Sequence, residues 1–89
     1  MARNFHIHVV PHPEGLHLHL SGDLDGSSAS MLVNTLKAHG NHTGDVVVHT
    51  DGLGKLHDFG VAVLQNHLPG LQNGFRRLIF VGEKRDSMT

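Results

Sequence analysis

The sequence predicts a small α/β domain with a mixed β-sheet, in the order β-β-α-β-α-β, its helices packed mainly on one face. Three observations carry this. FHIHV (5–9) and LHLHL (16–20) alternate apolar residues with histidine, two later segments repeat apolar residues at helical spacing, and each of these is followed by an apolar run, DVVVHT (45–50) and RRLIFVG (76–82). A short loop joins antiparallel neighbours, whereas a strand, helix, strand succession needs a right-handed crossover and leaves its strands parallel. An antiparallel hairpin joined to two parallel strands follows.

Each element has its own reason. In the first two strands Phe5, Ile7 and Val9 share one face, as do Leu16, Leu18 and Leu20, while His6, His8, His17 and His19 point the other way. Between them VPHPEG supplies the prolines and glycine of a hairpin loop. In the next segment Ser27 or Ser28 caps a helix whose stripe is Ala29, Leu32, Val33 and Leu36, with Gly40 at the C-cap. The β-branched run at 45–50 reads as a strand covered on both faces or lying centrally in a sheet, and DGLGKL after it as a loop. A second helix opens at Asp58 and carries Val61, Leu64, Leu68 and Leu71, with Pro69 and Gly70 expected to break it before its last turn. The run at 76–82 reads as a buried strand, and residues 83–89 as a polar, mobile tail.

Composition narrows the function classes. With 89 residues the chain reads as a single domain over 1–89, of a size that buries roughly 60–65% of its unfolded surface. It has no cysteine, hence no disulfide and no thiolate metal site. The N-terminus lacks the basic region and apolar run of an export signal, so a cytoplasmic location is expected. Apolar runs are too short to span a bilayer, and a formal charge of −1 without a basic stripe argues against nucleic acid as a partner. Ten histidines, in a chain without tryptophan or tyrosine, make solubility sensitive to pH near neutrality.

GKLHDFGVAVL (54–64) sets an acid and an aromatic side by side at a helix entrance. As an N-cap, Asp58 would accept a hydrogen bond from the first turn and favour the positive end of the helix dipole. Phe59 either folds back on Leu56, as in a hydrophobic staple, or projects as an anchor for another protein. His57 reads as a solvent-side residue.

The order of elements, the SGDLD (21–25) that closes the second strand, and VVVHTDGLGKLHDFGVAVL (46–64) followed by NGFRRLIFVG (73–82) resemble the STAS domain, the fold of bacterial anti-sigma-factor antagonists. The likeness runs through nearly the whole chain. In that family a serine at the start of the second helix is phosphorylated by a partner anti-sigma kinase, which ends binding. The matching positions here are His57, Asp58, Phe59 and Gly60, of which only the glycine is retained, and Asp25 falls where the family has an acidic residue near the serine. Without a hydroxyl at Asp58 the serine switch cannot operate there. Ser27 and Ser28 are the nearest alternative acceptors.

The resemblance implies a non-catalytic protein-protein interaction module without a cofactor, whose partner is an anti-sigma factor or its kinase-type ATPase. Asp58 is its phosphosite-equivalent, and Asp23, Asp25, Ser27, Ser28, His57, Phe59 and Gly60 are its partner-binding residues. The other reading is a structural subunit of a larger transporter-associated or stress-sensing complex. Oligomeric state is left open.

The hairpin histidines offer a competing chemistry, because His6 or His8 can stand opposite His17 or His19 and imidazoles so placed suit Zn²⁺, Ni²⁺ or Cu²⁺. No carboxylate or cysteine joins them within those strands, so no metal site is expected. The run PEGLHLHL is similar to the phosphorylated segment of the sugar-transport phosphocarrier. That chemistry needs its histidine at a helix N-terminus, whereas His17 lies within an alternating strand.

Overall fold

The computed structural model describes residues 5–13, 15–39, 44–72, 77–84 and 86. It is an α/β fold in the order β1 (His6–His12), β2 (Gly15–Leu24), α1 (Gly26–Ala38), β3 (Asp45–Leu56), α2 (Asp58–Gln72) and β4 (Arg77–Val81). One sheet runs β1-β2-β3-β4. The first pair is antiparallel, the next two pairs are parallel, and the two helices pack on each other. The expected mixed sheet is therefore present.

Register explains the two unlike faces. Val9, Leu18, Val48 and Phe80 are successive partners across the four strands, and the last three are buried. Their neighbours one step along, His8, His19, His49 and Val81, form the matching row on the opposite face. One face thus meets the stripe of α1, where Ala29, Leu32, Val33 and Leu36 are all buried, and Leu64, Leu68 and Leu71 of α2. Val61 is only half-buried.

The 45–50 run lies centrally in the sheet, between β2 and β4, as expected, with Val47 and His49 half-buried on its open face. Four local expectations are corrected. DGLGKL is not a loop. It continues β3 because β2 also extends through SGDL, and the two segments pair Ser21 with Gly52, Gly22 with Leu53 and Leu24 with Leu56 through two register shifts. The cap of α1 is Asp25, whose carboxylate accepts from the Ser28 N–H at 2.8 Å, a few residues earlier than the serines suggested. The helix ends at Ala38 with His39 as its C-cap, and Gly40 lies outside the described residues. α2 runs through Pro69 to Gln72: the missing N–H removes one ladder bond, but the ring is exposed while Leu68 and Leu71 remain seated in the core.

In β4 only Phe80 is fully buried, so the expected buried strand is half-open. Residues 83–84 are tied to β3 instead of trailing: the Glu83 N–H donates to Asp51 Oδ1 at 3.0 Å and the Lys84 N–H to Thr50 Oγ1 at 3.3 Å. The rest of the expected tail, apart from Asp86, lies outside the described residues. No helix among the described residues is long and apolar enough to cross a membrane.

Candidate functional site

Two helix entrances meet at one end of the sheet. β2 delivers Asp23, Leu24 and Asp25 to the start of α1, and β3 delivers Leu56 and His57 to the start of α2. The His57 N–H donates to the Leu24 carbonyl at 2.9 Å, which fixes one entrance against the other. The Lys55 N–H donates to Asp23 Oδ1 at 2.9 Å and reinforces the junction.

Within the first entrance, the Ser28 hydroxyl lies 2.8 Å from the Asp23 carbonyl and 3.0 Å from Asp25 Oδ1, so its single proton is shared between two acceptors. Ser28 is fully buried. The bond from the Ser28 N–H holds the Asp25 carboxyl below its ordinary range, against a smaller opposing push from desolvation. Ser27, by contrast, is exposed.

At the second entrance the Val61 N–H donates to the His57 carbonyl at 3.0 Å, so His57 is the N-cap and Asp58 is the first helical residue. This corrects the expectation of Asp58 as the cap. Its exposed carboxylate still lies at the positive end of the helix dipole. Gly60 is buried because α2 crosses the start of α1 closely: a Cβ there would come within 2.6 Å of the Asp25 carbonyl oxygen. Phe59 is 72% exposed, and its ring edge lies against Gly26, where a Cβ would approach it to 2.7 Å. The aromatic therefore leans across the α1 entrance. A shallow depression lined by Asp25, Gly26, Ser27, Ser30 and Phe59 results.

The fold thus brings together every residue singled out at the two entrances. Ser27, His57, Asp58 and Phe59 are exposed, Asp23 and Asp25 half-buried, and Ser28 and Gly60 buried as parts of the framework. Gly26 and Ser30 were missed. The glycine directly after an acidic cap was the available signal.

A second cluster occupies the open face of the sheet. His8 is the register partner of His19, as expected for the hairpin, but His17 stands opposite Val10 and His6 opposite Ser21. The close ring contacts instead reach His49 on β3 and His12 at the end of β1, neither of which was singled out. Alternation carried past Val9 and through VVVHT places both on that side. Among the described residues no group of three or more histidine, aspartate or glutamate side chains is arranged to hold a metal ion.

No family model matches the sequence, and no curated protein matches it. The chain is similar in structure to a solved protein described as "Crystal Structure Analysis of Mglu", with a TM-score of 0.75, 19% sequence identity and 88% of this chain covered. The chain spans 20% of the length of that neighbour. At such identity the likeness shows the fold alone.

Proposed function

We propose that this domain is a protein-protein interaction module of the STAS type, resembling an anti-sigma-factor antagonist, whose docking surface is the paired helix entrance. The observation that carries the reading is Phe59, a large aromatic 72% exposed and leaning over Gly26 in the depression that Asp25 also lines. Exposed aromatics of this kind serve as interface anchors, and the surrounding acids steer a basic partner patch. No group transfer is assigned to it.

Asp58 occupies the phosphosite-equivalent position of that family. Aspartate supplies one charge, where phosphoserine supplies about −1.5 to −2 and three acceptor oxygens. On this reading the domain carries a fixed, weakened form of the signal that ends binding. Asp58→Ser then raises the affinity for the partner, and capture that is unchanged or weaker removes the mimic from the proposal.

Affinity capture with the purified chain, followed by identification and calorimetric titration of the captured protein, tests the module itself. Recovery of a kinase-type ATPase whose binding is lost in Phe59→Ala supports it. Recovery of subunits of one assembly, indifferent to Phe59, favours the structural-subunit reading.

A further inference from the structure

The sheet face turned away from the helices carries a continuous run of imidazoles. His17 Nδ1 lies 2.7 Å from His49 Nε2 across β2 and β3. The His49 ring is stacked on His19, with centroids 4.2 Å apart and planes 8° from parallel. The His12 ring lies 4.1 Å from His17, and His8 lies 6.4 Å from His19. Because the rings stack instead of converging on a common centre, their geometry favours a proton over a metal ion as the ligand.

We propose that His17 and His49 form a shared-proton site that keeps the open face of the sheet closed-packed near neutral pH and loosens it in acid. A nitrogen-to-nitrogen separation of 2.7 Å needs one N–H between the two rings. The neutral pair meets this with one ring as donor and the other as acceptor, and so does the pair with one added proton. With both rings fully protonated, two N–H groups point at each other and the contact must open. The site therefore takes up its protons in two coupled steps.

The groups facing the pair decide where those steps fall. β1 contributes His8 and His12, and β2 contributes His19. β3 contributes Asp51 and Asp45, and β4 contributes Arg77, which lies 3.9 Å from Asp45. Burial and then the charges of His12 and His19 hold His17 below its ordinary value. Burial and then His19 and His17 do the same to His49, with Asp51 opposing them. The unfolded chain, titrating near ~6.5, therefore binds more protons than the folded one just below that pH. This contribution to stability is complete above about pH 6.5 and is lost as pH falls through the lower folded values. Release of the pair frees its partners too, since His49 and His19 share a stack and His17 and His12 share a contact. The face then changes from packed neutral rings to adjacent cations on β1, β2 and β3.

Titration of the histidine ring resonances by NMR, alongside thermal unfolding between pH 7.5 and 5.0, tests the site in the intact chain. The expected result is that His17 and His49 titrate below the unfolded-chain value with mutually dependent, two-step curves, while Tm falls by about 5 °C or more over the range. In His49→Gln the remaining His17 titrates in one step nearer the ordinary value, and the fall in Tm shrinks by at least half. Single, independent steps for both rings at the unfolded-chain value in the native protein overturn the proposal, as does an unchanged Tm slope in the variant. Should His49→Gln not fold, His17→Gln supplies the same comparison, and the native titration decides without either variant.

Discussion

Asp25 does three things with one carboxylate: it caps α1 through the Ser28 N–H, accepts from the Ser28 hydroxyl, and lines the depression beside Phe59. Its carboxyl is held below the ordinary range chiefly by the backbone bond. The folded chain therefore keeps this group ionised to lower pH than the unfolded chain does. The stability it brings is present above the unfolded value of about 4 and is lost as pH falls through the lower folded one. Asn keeps the capping geometry and cannot titrate in this range. Asp25→Asn is thus expected to leave Tm at pH 7 within a few degrees of the native value and to flatten its decline below pH 4, measured by thermal unfolding in a pH series. The serines that looked like caps were legible as belonging to a helix start. Which side chain turned back onto which N–H was not, because Asp25, Ser27 and Ser28 have similar local capping chemistry. Only the burial of Ser28 under the sheet end separated them.

Helix α2 shows what core contact can override. Pro69 and Gly70 make a local signal for termination, yet the helix extends to Gln72 because Leu68 and Leu71 are seated in the core on either side of that signal. The proline leaves Gln65 without its i→i+4 donor on an exposed face. Pro69→Ala restores that bond, while the unfolded chain gains freedom in return, so a net stabilisation of about 1–2 kcal/mol is expected. Chemical denaturation checks it through an increased midpoint with an unchanged slope. The β3 extension has the same logic. DGLGKL has the composition of a loop, but β2 presents free pairing groups at SGDL and Leu53 and Leu56 turn inward, the first buried and the second half-buried. Strand pairing over sequence-distant partners decides such a segment, and composition does not register it.

At the scale of the whole molecule, the described residues share one apolar core between the sheet and a pair of helices, continuous from Phe5 through Leu71 and Phe80. A single core of this size unfolds as one unit. Urea unfolding is expected to be two-state, with a slope of about 1 kcal/mol/M and coincident transitions by far-UV circular dichroism and by methyl NMR signals. A separate early transition in either signal contradicts a single cooperative core. The open sheet face stands apart from this core. Its histidine alternation leaves one side without the apolar surface needed to hold a second helix layer, and imidazole contacts take its place.

Element order, the hairpin, both helical stripes and the inward and outward faces of the first two strands were legible in the residues, because periods of two and of 3.6 report directly which side of a strand or helix is apolar. The proximity of Asp25 and Asp58 at one end of the sheet came from the resemblance in pattern, and tertiary geometry then assigned their roles: His57 as cap, Asp58 in the first turn, and Phe59 across Gly26. The pairing of His17 with His49 depended wholly on tertiary structure. Residues 32 positions apart meet only after β3 takes its place beside β2, and the register of a parallel pair is set by burial of Leu18 against Val48, on the side of the sheet opposite the imidazoles.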